Sequence, residues 1–397
     1  MDSHERLRVT LFSGEWKSSK GGSTIIIKLA IELAKHPNVE VYVYLPKCSE
    51  EDKKVVAGRH RIHLIEAEKI SGFEPIDWLA SISEGHLPHC VIGHGLHLGL
   101  QIPRKKRHDY KCIQVVHTAL EELGMYQSQY EEANFKGEEK HQTEVKLYEL
   151  AEQVVSVGPK LADLCYHYFR FSRKVQDVIN HTPSVSTELP SIQQALEERR
   201  MFVVLVFGRG DGEDFKLKGY DIAAKAVAEL KDPSYRLMFV GAPAGKEEEV
   251  KERLLQHGIH PSQLTVRSRE GLAKLFCEVD LAIVPSRTEG FRLTALEALF
   301  AGLPVLVSGN YLGLEDTLKK VSTGFFHVVD SEDPKEWAKA INISRQKGRE
   351  VRLAEAKILR EKYAMKYNWQ EECDWLVETM LHLSFGKING FALPFCL

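Results

Sequence analysis

Two short apolar runs, LAIVP (281–285) and PVLVS (304–308), bracket a polar turn and an amphipathic stretch in PSRTEGFRLTALEALFAGLPVLVSG. Strand, turn, helix and strand in that order form a βαβ unit, the repeat of a parallel sheet covered by helices. Such sheets bind ligands outside the carboxyl ends of their strands, which places Ser286 to Leu293 at a ligand site. The helix start there attracts anions, and Glu289 and Glu297 flank it. A ligand carrying both phosphate and hydroxyl groups is therefore expected.

The same alternation runs along the whole chain. LRVTLFSG, from residue 7, predicts a first strand, followed by a polar loop (EWKSSKGGST), a helix (IIIKLAIELAKH) and the strand VEVYVYLP. RIHLI (61–65), HCVIGHG (89–95), CIQVVHT (112–118) and QVVSVG (153–158) predict further strands, with a helical pattern over 141–153. HTPSVSTELPS (181–191) is rich in Ser, Thr and Pro and reads as an interdomain linker. A second series opens with MFVVLVFGRG (201–210) and continues through YDIAAKAVAELK, YRLMFVGA (235–242) and KEEEVKERLLQHG. GFFHVV (324–329) is expected as its last strand. Residues 334–383 read as helical, with one helix starting at DPKEWAKAI and another formed by WQEECDWLVETMLHL. The expected architecture is α/β: two doubly wound, Rossmann-like domains facing a central cleft. Residues 1–190 form the first, 191–368 the second, and a helix at about 369–397 returns to the first.

A chain of 397 residues suits two domains. With 27% charged residues and a net charge of −3, no strongly basic face is expected, so nucleic acid is not an expected partner. No apolar run is long enough to cross a bilayer, and MDSHERLRV lacks a signal-peptide pattern. The seven cysteines occur singly without C-x-x-C spacing, which points to a reduced, cytoplasmic compartment rather than a disulfide framework or zinc site. His94 and His97 stand three apart with no third ligand near in sequence, so no metal site is expected. RKKRH (104–108) and Glu247 to Glu249 read as solvated surface.

FGRGDGEDFKLKGYD (207–221) is the second informative segment. Arg209 and Lys218 both lie where a strand hands over to a helix, beside glycines that permit close backbone approach. Two such cations can clamp a diphosphate by charge-assisted hydrogen bonds. Taken alone, the segment reads better as a solvated loop with incidental charges. GRGDG is not the dinucleotide fingerprint, and GxxxxGK[ST] is absent.

Together the two segments resemble the GT-B glycosyltransferases of family 4, the retaining nucleotide-sugar transferases also known as glycosyl transferases group 1. Gly208, Arg209, Lys218 and Gly219 match that family's G-R and K-G pairs. Pro285, Ser286, Glu289, Gly290, Phe291, Leu293, Leu296, Glu297, Ala298, Gly302, Pro304 and Val305 match its long downstream motif. Gly21 and Gly22, placed in a loop before the first helix, match its glycine-rich loop. His117 matches a cleft-facing histidine, and NWQEECDWL resembles its final segment. The pairing of GHGLHLG with VVHTALEELGMY is similar to glycosyltransferase-like proteins of marine invertebrates.

The resemblance implies that Arg209 and Lys218 hold the donor diphosphate and stabilise its developing charge. It implies that Glu297 accepts ribose hydroxyls and that Glu289 and His117 contact the sugar. The amides of Gly290, Phe291, Arg292, Leu293 and Thr294 would approach the phosphates, and Gly21, Gly22 and Gly208 would allow close backbone contact. Arg292 departs from the family's glycine, so it is expected either to add a third cation or to crowd the pocket. No Asp-x-Asp occurs, which argues against the metal-dependent GT-A type. The implied activity is a metal-independent, retaining transfer of a hexosyl or similar group to a glycan, lipid or small-molecule acceptor. The nucleotide sugar serves as co-substrate and no further cofactor is expected. The alternatives are a catalytically silent GT-B module that binds a nucleotide, nucleotide sugar or glycan in signalling or immunity, and another GT-B enzyme such as an epimerase or a phosphorylase. A phosphorylase would need a pyridoxal-phosphate lysine that is not evident.

Overall fold

The computed structural model describes residues 6–16, 21–80, 86–102, 110–118, 131–169, 178–184, 194–210, 215–268, 275–288, 290–309 and 313–386. Among them, β1 (Leu7–Phe12), β2 (Val39–Leu45), β3 (Ile62–Glu66), β4 (Cys90–His94), β5 (Lys111–Val116), β6 (Gln153–Ser156) and β7 (Val178–Asn180) build one sheet. Its order is β3-β2-β1-β4-β5-β6-β7, and every neighbouring pair is parallel. A second parallel sheet has the order β10-β9-β8-β11-β12-β13. Its strands are β8 (Phe202–Phe207), β9 (Tyr235–Ala242), β10 (Leu264–Ser268), β11 (Leu281–Val284), β12 (Val305–Ser308) and β13 (Val328–Val329).

Helices cover both faces of such sheets, so the strands read as nearly continuous apolar runs rather than alternating ones. All five residues of β4 and all four of β11 are buried. In each sheet the strand order reverses at one point, between β1 and β4 and between β8 and β11. Ligand crevices of doubly wound sheets open there, at the carboxyl ends of the strands.

One apolar core runs from the first sheet (Leu11, Val43, Ile92) to residues around the second, including Phe291, Leu296 and Leu303. The far face of the second sheet has its own core around Phe202, Phe239 and Trp337. The last described helix, Trp369–Phe385, packs against the first helix, Gly21–Leu33. Asn368 caps it, its side chain accepting from the amides of Gln370 and Glu371. Trp369 stands edge-on to His181 with ring centroids 4.3 Å apart, and Cys90 Sγ lies 3.3 Å from Ser384 Oγ.

Four details differ from the sequence expectation. Gly21 and Gly22 open the first helix rather than lying in the loop before it. GFFHVV is a tight 3-10 turn, Gly324–His327, followed by the two-residue β13. Gly324 opens the turn against the Leu318 carbonyl, where a Cβ would fall 2.0 Å away, so the turn has no room for a side chain at this position. It leaves Phe325 and Phe326 61% and 69% exposed. The carboxyl-terminal region holds three helices, Pro334–Gln346, Arg349–Lys366 and Trp369–Phe385, with Gly348 at φ +76° breaking the first two. The short β7 lies just before the linker and has too few residues to show as a pattern.

No helix among the described residues is long and apolar enough to cross a membrane. Because Trp369 is 6% exposed and joins the last helix to the first sheet, Trp369→Ala should cost about 3–5 kcal/mol of unfolding free energy, measured by denaturant titration.

Candidate active site

The second sheet carries both conspicuous motifs on its reversal point. Gly208 follows β8, its amide donating to the Val240 carbonyl at 3.0 Å, and Arg209 comes next as an exposed residue. The Tyr220 hydroxyl donates to the Arg209 carbonyl at 3.0 Å, fixing the backbone that carries this cation. Lys218 is half-buried just before the helix Tyr220–Glu229.

Gly219 joins the two motifs. It sits at φ +66°, a left-handed conformation natural to glycine, and a Cβ there would lie 2.0 Å from the Pro285 carbonyl oxygen. Arg287 completes the joint. Its amide donates to the Leu217 carbonyl at 2.9 Å, and its guanidinium grips Asp221 with two bonds of 2.8 and 2.9 Å. The same guanidinium reaches Glu332 at 3.0 Å and the Lys216 carbonyl. Burial alone would raise the pKa of Asp221, but the hydrogen bonds and charge of Arg287 outweigh it and hold the carboxyl below its ordinary range. Arg209 and Lys218 are thus presented from backbone locked to the start of the β11 loop.

Beyond that loop the two sheets meet. Glu289 lies outside the described residues, so its expected sugar contact has no structural account. Gly290 packs so closely on the end of β5 that a Cβ would lie 2.3 Å from the His117 carbonyl oxygen. Phe291 is 3% exposed and lies against Gly158, which follows β6. Arg292 adopts a left-handed φ of +57° and is 1% exposed. Its guanidinium pairs with Glu315 and donates to the Ser286 carbonyl at 3.3 Å, beneath the turn. Leu293 and Thr294 begin the helix Leu293–Phe300 and are half-buried.

Glu297, one helical turn on, faces the first helix across the cleft, its Oε1 3.9 Å from Lys28 Nζ. Burial lowers the pKa of Lys28, with Glu297 pulling the other way. Gly21 and Gly22 form the start of the helix that carries Lys28. On the first sheet, His117 Nε2 lies 2.9 Å from His94 Nδ1 and the two rings stack with centroids 5.1 Å apart. Among the described residues, His94 Nε2 and His117 Nδ1 are buried without a hydrogen-bond partner. Burial pushes His117 down to about 4; burial and His117 push His94 well below its ordinary range, so both are neutral at neutral pH.

Lys28, Asp221, Arg287 and Glu315 were not singled out by sequence. None sits in a recognisable spacing, and each acquires its role from a partner on another element. The spacing of His94 and His97 gives no sign of the ring contact that His94 makes with His117.

Two outcomes follow. Gly219→Ala should destabilise the protein by about 2–4 kcal/mol in thermal or chemical unfolding, because the added methyl meets Pro285 and strains the left-handed turn. The neutral histidines give a pH signature. Their unfolded pKa is near 6.5, so their stabilisation is complete above that and is lost as pH falls; for His117 it amounts to at most about 3 kcal/mol by pH 4. Glu144, pushed up to about 7 by burial, acts in the opposite direction over the same window. Unfolding titrations at pH 7 and 4.5 should therefore show a smaller acid loss in His94→Gln/His117→Gln than in the parent.

Comparison with known proteins places this geometry. The family described as "Family 4 Glycosyltransferase in conflict systems" matches residues 10–376. The D-inositol 3-phosphate glycosyltransferase of Corynebacterium diphtheriae is 28% identical over 354 residues, 81% of this chain and 80% of that protein. Its counterpart in Rhodococcus opacus is 30% identical over 176 residues, 41% of this chain; that match spans only 38% of the relative's length. Among solved structures, sucrose-phosphate synthase from Thermosynechococcus elongatus has a TM-score of 0.75 at 18% identity, covering 96% of this chain and 100% of that one. The Anabaena protein HepE in complex with UDP and glucose has a TM-score of 0.69 at 14% identity, covering 94% and 99%. The fold is GT-B, and the chain belongs to the family 4 glycosyltransferases of conflict systems.

Proposed function

We propose that the protein moves a sugar from a nucleotide-sugar donor to a hydroxyl-bearing acceptor, with retention of configuration and without a metal ion. The observation that carries this reading is the backbone lock between Gly219 and Pro285. It sets Arg209 and Lys218 at the reversal point of the second sheet, with the Gly290 turn touching His117 of the first. The complex of HepE with UDP-glucose, at 14% identity, lends support to a UDP sugar as the first donor to try. The glycosyltransferase relatives support the reaction class.

In this reading Arg209 and Lys218 hold the diphosphate and offset the charge that grows on it as the glycosidic bond breaks. The first-turn amides of Leu293–Phe300, with the positive end of that helix, face the same charge. Glu297 accepts the ribose hydroxyls and Glu289 the sugar hydroxyls. His117, neutral and with its pKa near 4, offers a hydrogen bond to the sugar and makes a poor general base at neutral pH. The acceptor proton then passes to the leaving phosphate oxygen on the same face. The acceptor, whether glycan, lipid or small molecule, binds on the first-sheet side, and cleft closure excludes water. A cytoplasmic setting fits the free thiols of Cys48, Cys90, Cys112, Cys165, Cys277 and Cys373.

A thermal-shift screen with UDP, GDP and ADP sugars identifies the donor, and donor turnover by the pure protein then tests the reaction. Lys218→Ala should lower turnover by roughly 10²–10³-fold while leaving the unfolding temperature close to that of the parent. Unchanged turnover would remove Lys218 from the machinery. Tight donor binding with no turnover, across a broad acceptor panel, would point to a silent binding module instead.

A further inference from the structure

Arg292 is built at a disadvantage that a glycine would not carry. Its φ of +57° strains any side chain with a Cβ, and its guanidinium is fully removed from water. Backbone outliers held in this way at a ligand loop are grounds for asking what they do there.

The contacts answer that question. One arm of the guanidinium donates to the Ser286 carbonyl, at the start of the turn that Arg292 itself ends. The other pairs with Glu315, which is 3% exposed and lies in the first turn of the helix Leu314–Lys319. Directly before that helix, Gly313 lies under the same turn: a Cβ there would stand 2.8 Å from the Gly290 carbonyl oxygen and 3.1 Å from Phe291 Cα. Residues 313–315 thus form a floor, and Arg292 ties both ends of the 286–292 turn to it. Burial works to raise the pKa of Glu315, and the charges of Arg292 and of Lys160, across the interface, pull it back. The outer side of the turn rests on His117 and Gly158 of the first sheet.

We propose that Arg292 is a positioning residue, not a donor contact: its buried pair with Glu315 holds the 286–292 turn in the shape that offers the donor sugar the backbone around Gly290. The donor part of this inference rests on the nucleotide-sugar reading above. It accounts for an arginine at a glycine-like backbone position, because the side chain turns under the loop and leaves the cleft side to the main chain.

The test uses Arg292→Gly, Glu315→Gln and the double variant, with two readouts. Amide hydrogen exchange over residues 286–296 reports the turn, and dissociation constants for UDP-glucose and for UDP alone report the site. Each single variant should speed exchange of the turn amides, and weaken UDP-glucose, by about tenfold, with UDP changed less than about twofold. The double variant should be no worse than the weaker single one, because the pair acts as a unit. Glu315→Gln keeps the side-chain shape but leaves the buried Arg292 charge unpaired, whereas the double variant removes both charges, so the double variant reports even if a single variant unfolds.

Unchanged exchange in both single variants overturns the proposal. So does a Glu315→Gln variant that binds UDP more tightly while Arg292→Gly loses UDP and UDP-glucose alike; that pattern belongs to a cation waiting for the diphosphate. If the parent binds neither UDP-glucose nor UDP, nor any other nucleotide sugar, the donor reading fails and the donor role of Arg292 falls with it. The exchange result then decides separately whether the pair holds the turn.

Discussion

The contact between the Gly219 backbone and the Pro285 carbonyl is the constraint on which the rest of the site depends. It fixes where the helix after Lys218 begins relative to the loop after β11, with no side chain between them. Arg287 repeats the constraint with side-chain and main-chain bonds to Asp221, Lys216 and Leu217. Two loops from neighbouring strands behave as one body, so the cations on the first keep their distance from the helix start on the second. Electrostatic catalysis needs that kind of fixed geometry, since groups that must reorganise when charge develops lose much of their effect.

The parallel sheets supply the larger frame. Every strand of a parallel sheet points the same way, so the residues that follow β1 and β4 share one edge of the first sheet, and those that follow β8 and β11 one edge of the second, regardless of their separation in sequence. The fold was legible for the same reason: strands covered on both faces show as unbroken apolar runs, and eleven of the thirteen described strands, β7 and β10 being the others, fall within runs named from the sequence. GFFHVV misled because an apolar run does not reveal whether its backbone can extend. Gly324 is pressed on Leu318, the chain turns, and two phenylalanines are left in solvent.

At the site, the motif residues were legible as a set, but their supports were not. Asp221 and Arg287 are 66 residues apart and meet only because β8 and β11 are neighbours. Along the chain His94 stands three residues from His97, with no metal site expected there. In the sheet, His94 is level with Val115, and two residues further along, on the same face, comes His117. A sequence shows spacing along one element well and register between elements poorly. Arg292 is the sharpest case: its sequence position suggested a side chain in the pocket, and a left-handed backbone sends that side chain underneath.

The Lys28–Glu297 contact has a consequence for specificity. An empty cleft holding an isolated carboxylate would attract any passing cation, whereas here the first sheet's own helix supplies the counter-charge. On the ribose role proposed for Glu297, a nucleoside must share or replace that ammonium group, whose pKa burial lowers. Molecules offering fewer hydroxyls at that spot compete with a partner built into the protein. Selection against a deoxyribose in that place would then come from what the lysine gives up, as well as from what the glutamate gains.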